Sequence, residues 1–276
     1  MTAVILRIAI GVVIVYVALV LIIWVSQNKL AFPAPRSHLP APNTLGFPDG
    51  EKIRIITSDS IEIGGWYLPP RDSTRAPHPA LIWFYGNMET VDVLAPIYRN
   101  LQPENLGLLA INYRGYGDSE GAATEEGLYR DGEAAWRYLA ERPDVDSTRI
   151  AVYGRSLGSV VALYLATERN VRAVILDSPF SSARDMARVH YRFLPKFLIR
   201  LSLDNVERAS RIQAPLIVFH GTLDRIAPVR MGRAVAEAGR ALELVLIEGA
   251  GHNDTYTVGG GEYQAKMHAF LAEHLQ

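Results

Sequence analysis

The stretch RIAVYGRSLGSVVALYLAT, residues 149–167, decides the fold of this chain. Its first five residues are a short apolar run that predicts a buried strand, and its last nine predict a helix. Between them lies GRSLG, residues 154–158, whose small residues let the chain turn sharply. A serine on a tight strand-to-helix turn projects into a cleft, where it can act as a nucleophile. The sequence therefore predicts that Ser156 is a nucleophile and that the backbone N–H of Leu157 is an oxyanion donor.

A serine hydroxyl needs a base in contact with it, and the base needs an orienting acid. After a turn of this kind, the acid precedes the histidine in the chain. The apolar run 215–220 predicts a strand, and Asp224 lies on the loop that leaves it. A second apolar run, 242–247, is followed by EGAGH, which ends at His252. We therefore predict that Ser156, Asp224 and His252 form a catalytic triad.

Other polar residues compete for these roles. His220 directly follows four apolar residues, so it is either a core histidine or an alternative base. Asp177 ends a predicted strand at 171–176 and is an alternative orienting acid. Because the remaining histidines lack metal-ligand spacing and the chain has no cysteine, we expect neither a metal nor another cofactor.

A second oxyanion donor is expected from the loop after the third strand. The run 80–85 predicts that strand, and GNME, residues 86–89, is the loop. The backbone N–H of Asn87 is the first candidate and that of Met88 the second. The alternative interpretation is an ordinary Gly-Asn turn.

Together these motifs resemble the α/β-hydrolase superfamily. Within it, the chain resembles the membrane-anchored α/β-hydrolase-domain serine hydrolases, a group that includes protein depalmitoylases and lysophospholipid lipases. The matching stretches are residues 27–33, 85–87, 112–121, 154–158, 177–180, 215–228 and 251–254. The family's nucleophile, acid and base fall on Ser156, Asp224 and His252. The resemblance implies hydrolysis of acyl esters or thioesters without a cofactor. One departure is Tyr85, where the family usually has histidine, and we expect it to alter the packing of the loop.

Composition and element order indicate the fold class. The 276 residues are 49% hydrophobic and 21% charged, with a net charge of −1, which argues against a nucleic-acid partner. Predicted strands alternate with helices, as in a mostly parallel sheet covered on both faces. The helices are expected at 89–101, 125–141, 157–168, 230–238 and 260–274. We therefore predict an α/β-hydrolase fold with eight strands, the first two of which, at 51–57 and 61–68, form an antiparallel edge hairpin.

An extra segment precedes the predicted domain. Residues 8–25 are an unbroken apolar run, close to the roughly 20 residues that span a bilayer, and Trp24 lies at its end. The run is longer than the roughly 7–15-residue core of a signal peptide. We therefore expect a single-pass anchor that contacts the bilayer through residues 4–25. Positive charges flank it almost evenly, and the resemblance favours the non-cytoplasmic side for the catalytic domain.

The expected organisation is an anchor at 1–27, a proline-rich linker at 28–50 and a catalytic domain at 51–276. Within that domain, residues 178–214 contain no predicted strand and are expected to form a small cap. Four basic residues recur every four positions there: Arg188, Arg192, Lys196 and Arg200. Pro195 divides the segment into two short helices. Such a segment either contacts a membrane surface or packs as a lid with its basic face in solvent.

The sequence thus predicts a membrane-anchored serine hydrolase that cleaves ester or thioester bonds of acyl or lipid-like substrates. A serine peptidase of the same fold and a non-catalytic membrane-tethered binding protein are the alternatives. Haloalkane and epoxide hydrolases are disfavoured, because they use a carboxylate nucleophile where this chain has Ser156.

Overall fold

One eight-stranded sheet forms the centre of the computed structural model, which describes residues 2–72, 76–191 and 195–276. Its strands are β1 (Glu51–Ile56), β2 (Glu62–Leu68), β3 (His78–Phe84), β4 (Gly107–Ile111), β5 (Val145–Arg155), β6 (Ala173–Asp177), β7 (Leu216–Gly221) and β8 (Glu243–Ile247). Their order across the sheet is β1-β2-β4-β3-β5-β6-β7-β8. The pairs β1–β2 and β2–β4 are antiparallel, and the remaining pairs are parallel. The predicted sheet and its edge hairpin are confirmed.

Helices cover both faces of this sheet. They are α1 (Thr2–Ala31), α2 (Ala95–Leu101), α3 (Glu125–Ala140), α4 (Leu157–Glu168), α5 (Ala183–His190), α6 (Asn205–Ala209), α7 (Val229–Ala238) and α8 (Thr255–His274). Strands β3, β4, β6 and β7 are buried along their whole length, as expected where helices cover both faces. The edge strands β1 and β8 instead carry exposed residues among the buried ones.

Two helices begin at residues other than those predicted from the sequence. The helix expected at 89–101 is shorter, because residues 89–91 are irregular, Asp92–Leu94 form a 3-10 turn and α2 begins only at Ala95. Pro96 lies in its first turn, where proline costs no helical hydrogen bond. The last helix, α8, begins at Thr255 rather than at 260. It is kinked at Gly260, whose φ of +50° is readily adopted only by glycine.

The expected cap is helical and is fixed to the core by hydrogen bonds. It contains α5, a 3-10 turn at Lys196–Leu198, and α6. The Asn205 amide donates to Ser159 Oγ of α4 at 2.8 Å. The Glu125 carboxylate of α3 accepts the backbone N–H groups of Ser202 and Leu203, each at 2.9 Å. These contacts hold the cap over the carboxyl end of the sheet.

Only part of the basic repeat in the cap lies in the described structure. Arg192 and the side chain of Lys196 lie outside the described residues. Arg188 forms an ion pair with Asp185, and the Arg200 guanidinium lies 4.9 Å from the centre of the Trp24 ring. Arg188 is therefore paired within α5, and only Arg200, of the two described cations, contacts a distant part of the chain.

Helix α1 is the apolar segment. It has 30 residues, a mean hydropathy of 3.1 over its most apolar window, and no buried residue in that window. At about 1.5 Å per residue it is roughly 45 Å long, which exceeds the ~30 Å hydrocarbon core of a bilayer. After it, Phe32 and Leu39 are buried against the domain, and the Trp66 indole donates to Pro40 O at 3.0 Å. The proline-rich segment thus packs along the sheet edge.

A buried arginine ties the loop after β4 to two other elements. The Arg114 Nε donates to Asp131 Oδ1 of α3 at 2.9 Å, and its Nη1 donates to Asp59 Oδ2 at 2.7 Å. Asp131 is fully buried and also accepts the Arg114 backbone N–H at 2.8 Å. Arg130, by contrast, contacts the same Asp59 from a side chain that is 39% exposed.

We expect Arg114→Met to lower the free energy of unfolding by about 3–5 kcal/mol, because it leaves the Asp131 carboxylate buried without its ion partner. The matched control Arg130→Met removes an exposed ion pair and should cost less than about 1 kcal/mol. Urea unfolding of the detergent-solubilised variants, followed by tryptophan fluorescence, measures both. Equal losses in the two variants would contradict this assignment.

Candidate active site

The turn between β5 and α4 holds Ser156 in a strained conformation. Its φ is +48° and its ψ is −111°, which is unusual for a residue with a side chain. Its N–H donates to Asp177 O at 2.9 Å. A Cβ on Gly154 would lie 2.6 Å from Gly158 O, and one on Gly158 would lie 2.0 Å from Phe84 O. Both glycines are therefore required for the helix to pack this close to the sheet.

The structure brings the three predicted catalytic side chains into one hydrogen-bonded line. His252 Nε2 lies 2.8 Å from Ser156 Oγ, and His252 Nδ1 lies 2.7 Å from Asp224 Oδ2. Asp224 follows β7 and His252 follows β8, so both come from the carboxyl ends of parallel strands. With Nδ1–H donated to the carboxylate, the imidazole presents the Nε2 lone pair to the hydroxyl. Such an arrangement can accept the hydroxyl proton during nucleophilic attack.

The Asp224 carboxylate is buried but fully hydrogen-bonded. Oδ1 accepts the N–H groups of Ile226 at 2.9 Å and Ala227 at 2.8 Å, and Oδ2 lies 3.3 Å from His220 Nε2. Burial alone would raise the pKa of Asp224. The hydrogen bonds from His220, His252 and the Ala227 N–H outweigh burial and hold that pKa well below its usual range. Asp224 is therefore a stable anion beside the imidazole.

His220, the alternative base, lies behind Asp224. It is fully buried, and its Nε2 donates to Ala227 O at 2.8 Å. The other ring nitrogen, Nδ1, has no hydrogen-bond partner among the described residues, and a Cβ on Gly232 would lie 2.2 Å from it. Since the imidazole that contacts Ser156 belongs to His252, the structure favours His220 as a core histidine that supports Asp224.

Asp177, the alternative acid, contacts hydroxyl groups, and it has no hydrogen bond to a histidine within the described part of the chain. It accepts Thr255 Oγ1 at 2.7 Å and the phenol groups of Tyr153 and Tyr263 at 3.0 Å each. Burial raises the pKa of both tyrosines well above the usual value, so both remain neutral donors. Asp177 therefore joins β6 to β5 and α8, and it does not orient His252.

The residues of the two predicted oxyanion donors, Leu157 and Asn87, line the same cavity as Ser156. Leu157 is the first residue of α4, so its N–H has no partner within the helix. Asn87 lies on the loop after β3, and no hydrogen bond in the described part of the chain uses its N–H. The Met88 N–H instead donates to Asn87 Oδ1 at 3.1 Å. Of the two loop candidates, Asn87 thus has the free amide.

Tyr85, which replaces the family's histidine, is directed into the core. Its hydroxyl donates to Asn112 Oδ1 at 3.1 Å and accepts the Tyr113 N–H at 3.2 Å. The same Asn112 oxygen accepts the Val91 N–H at 2.9 Å. The tyrosine therefore fixes the loop after β3 to the end of β4.

Sequence reasoning missed a buried arginine beside the serine. Arg155 Nη1 donates to His252 O at 3.3 Å and to Asn253 Oδ1 at 3.2 Å, and Nη2 forms an ion pair with Glu89. Glu89 also accepts the Gly86 N–H at 2.8 Å. Burial would lower the pKa of Arg155, but the Glu89 carboxylate raises it above the usual value. One guanidinium thus joins the turn at Ser156, the loop after β3 and the loop that carries His252.

A cavity of about 770 Å³ opens over the Ser156 hydroxyl. Its lining includes His252, apolar cap residues such as Met186 and Leu201, and residues of α1 such as Ile23. Its size is in the range that proteins use for small-molecule ligands. Among residues 2–72, 76–191 and 195–276, no cluster of His, Cys, Asp or Glu side chains has an arrangement that can hold a metal ion.

Sequence comparisons identify one protein family and two relatives of high coverage. The prolyl oligopeptidase family, Peptidase_S9, matches residues 109–276. The uncharacterized protein Rv2307c of Mycobacterium tuberculosis is 34% identical over 258 residues, which are 92% of this chain and 90% of that protein. The human alpha/beta hydrolase domain-containing protein 17B is 32% identical over 197 residues, 71% of this chain and 67% of that protein.

Solved structures share the fold. The Pyrococcus furiosus esterase Pf2001 superposes with a TM-score of 0.72 and 21% identity over 88% of this chain and 98% of the esterase. A puromycin-hydrolyzing peptidase of Mycobacterium tuberculosis gives a TM-score of 0.66 and 17% identity over 82% of this chain and 39% of that chain. With the family match and the two sequence relatives, these likenesses lead to one conclusion: this chain belongs to the α/β-hydrolase superfamily and is a hydrolase of the esterase and peptidase type.

Proposed function

We propose that this protein is a membrane-anchored serine hydrolase that cleaves ester or thioester bonds of acyl or lipid-like substrates. The observation that carries the proposal is the line of hydrogen bonds from Asp224 through His252 to Ser156, at the floor of a largely apolar cavity. On this proposal Ser156 is the nucleophile, His252 the base and Asp224 the orienting acid, and the N–H groups of Leu157 and Asn87 are the oxyanion donors.

In the first half of the reaction, Ser156 Oγ attacks the acyl carbonyl carbon while His252 Nε2 takes the hydroxyl proton. Asp224 stabilises the imidazolium, and the N–H groups of Leu157 and Asn87 donate to the developing oxyanion. The bond from the carbonyl carbon to the leaving oxygen or sulfur then breaks, and His252 protonates the leaving group. In the second half, water attacks the acyl-serine by the same route and releases the acid.

A serine peptidase of the same fold is the second candidate. It is favoured by the match to the prolyl oligopeptidase family over residues 109–276. Ester or thioester cleavage is favoured by the cavity, whose apolar cap residues and apolar α1 residues suit an acyl chain better than a polar peptide backbone.

The membrane-anchor part of the proposal rests on α1. Its 30 residues are long and apolar enough to cross a bilayer, and its apolar window has no side chain buried in the domain. Trp24 and the Arg200 guanidinium stack near its end, at the depth where aromatic and basic side chains favour the lipid headgroups. We propose that α1 is retained as an anchor and that the cap faces the bilayer surface.

The proposal predicts which residues are required for catalysis and that esters are cleaved faster than amides. The detergent-solubilised full chain should hydrolyse p-nitrophenyl esters between acetyl and palmitoyl, and cleave the matching p-nitroanilides much more slowly. Ser156→Ala should lower kcat by roughly 10⁴–10⁶-fold, and Asp224→Asn by about 10⁴-fold. Ser147→Ala, at an exposed serine, is the matched control. Full ester turnover by Ser156→Ala would refute the proposed nucleophile, and faster cleavage of the anilides would favour the peptidase.

The pH dependence follows from the lowered pKa of Asp224. Because this carboxylate stays ionised well below its usual pKa of about 3.9, protonation of Asp224 should cause no loss of activity down to about pH 4. The logarithm of kcat/KM should therefore fall with a slope no steeper than one as the pH is lowered to about 4. A slope of two in this range would mean that the Asp224 carboxylate is also protonated there, contrary to its hydrogen bonding in the structure.

We further propose that Arg155 is a positioning residue that holds the Asn87 and His252 loops at the correct distance from Ser156. Arg155→Met should lower kcat by about 10- to 100-fold, since small displacements of catalytic groups are this costly. Arg155→Lys should recover part of the rate, and KM for a short ester should change little in either variant. If activity falls only in proportion to the folded fraction, measured by circular dichroism, Arg155 has a structural role only.

A further inference from the structure

One face of α1 forms a wall of the cavity over Ser156. Ile23, Gln27, Leu30 and Ala31 line that cavity, and their spacing of three to four residues places them on the same side of the helix. Ile22, which is adjacent in sequence, does not line the cavity and is 62% exposed. The end of α1 is thus oriented, with one side toward the reaction centre and the others away from it.

A glutamine fixes this orientation against the cap. Gln27 Nε2 donates to Leu198 O at 2.7 Å, and Gln27 Oε1 accepts the Arg200 N–H at 2.8 Å. The Arg200 side chain also lies over the Trp24 ring. Because the Gln27 amide is engaged at both its donor and its acceptor, rotation of α1 about its axis would break two hydrogen bonds.

The last carbonyl group of α1 is held from the other side. Ala31 O accepts the Asn87 Nδ2–H at 2.7 Å, and Asn87 Oδ1 accepts the Tyr116 hydroxyl at 2.6 Å. The next residue, Phe32, is buried in the core. The cavity wall is therefore joined to the loop that carries the proposed oxyanion donor.

The position of this wall along α1 matters for an acyl chain. With α1 in the proposed transmembrane position, a hydrocarbon core of ~30 Å takes up about 20 helical residues, so the end of the apolar run 8–25 and the residues after it stand at the boundary with the headgroups. In that position, the cavity-lining residues from Ile23 to Ala31 lie near the depth where an acyl chain leaves the hydrocarbon. Exposed apolar side chains surround this end of the domain, among them Met88 at the cavity and Phe197 of the cap, which is 85% exposed.

We propose that α1 is a substrate-selectivity element as well as an anchor. Ile23 and Leu30 form the part of the acyl-binding wall that limits chain length, and the acyl chain reaches Ser156 along this face of the helix. The inference rests on the proposed ester or thioester hydrolase activity and deepens it, because it assigns part of the substrate site to α1, outside the hydrolase domain.

The test compares Ile23→Trp with its matched control Ile22→Trp in the detergent-solubilised full chain, using p-nitrophenyl esters from acetyl to palmitoyl. In Ile23→Trp, kcat/KM for the longest ester accepted by the wild type should fall about 10-fold or more, and that for the acetyl ester less than about 2-fold. Ile22→Trp should keep the wild-type profile, since its side chain is directed away from the cavity. Ile23→Ala, which enlarges the cavity, should shift the profile toward longer chains.

The outcomes separate this inference from the function on which it rests. Wild-type profiles in both Ile23 variants, in an enzyme that hydrolyses esters, would overturn the inference and leave the function intact. If Ile23→Trp also loses acetyl-ester activity, Ile23→Ala decides: a shift toward longer chains supports the wall, and an unchanged profile overturns it. A wild-type enzyme inactive on every ester would overturn both.

Discussion

The close approach of α4 to the end of β3 is the constraint on which the rest of the structure depends. Gly158 lies so near Phe84 O that no side chain fits between them, and Ser156 takes a positive φ as the chain turns above this contact. Strain of this kind persists only where the surroundings enforce it. Here the surroundings are β3 and β6, whose Asp177 O accepts the Ser156 N–H. The fold thus holds the Ser156 hydroxyl at the carboxyl end of the sheet, where the loops after the other strands can reach it.

Those loops are held together by buried charged groups, each of which is hydrogen-bonded or ion-paired. Asp224 receives hydrogen bonds from two backbone N–H groups and from His252, with His220 close behind. Arg155 pairs with Glu89 and contacts the backbone of His252. In a site of low dielectric an unpaired charge would be strongly destabilising, so each pair fixes the separation of the loops that supply it.

The sequence was sufficient to predict the sheet, its edge hairpin and the two polar residues, Asp224 and His252, that form a line of hydrogen bonds to Ser156. This prediction succeeded because the carboxyl ends of parallel strands lie at the same end of the sheet. A local pattern that places a polar residue after a strand therefore also indicates which side chains converge. It favoured Asp224 as the acid but left Asp177 open, since both lie at the ends of strands, and the distance to His252 separates them in the structure. Helix α2 was predicted too long, because the loop after β3 is held by Tyr85 and Asn112 and not by local propensity.

Contacts between distant parts of the chain were beyond sequence reasoning. Arg155 and Glu89 are 66 residues apart, and Gln27 and Leu198 are 171 residues apart. No periodicity or motif links such positions, because they meet only after the sheet and the cap have formed. Sequence motifs were therefore enough to identify the proposed reacting groups, but the structure was needed to identify the polar residues, such as Arg155 and Gln27, that hold the surrounding loops and helix in place.

The bond between Ala31 O and the Asn87 side chain has a consequence for where catalysis takes place. The same amino acid that carries the proposed oxyanion donor also holds the end of the apolar helix α1. With α1 anchored in a bilayer as proposed, the enzyme is confined to a surface, and it encounters its substrate by lateral diffusion within one leaflet. Its rate then depends on how many substrate molecules occupy each unit of membrane area, and the bulk concentration matters only through the amount that partitions into the lipid.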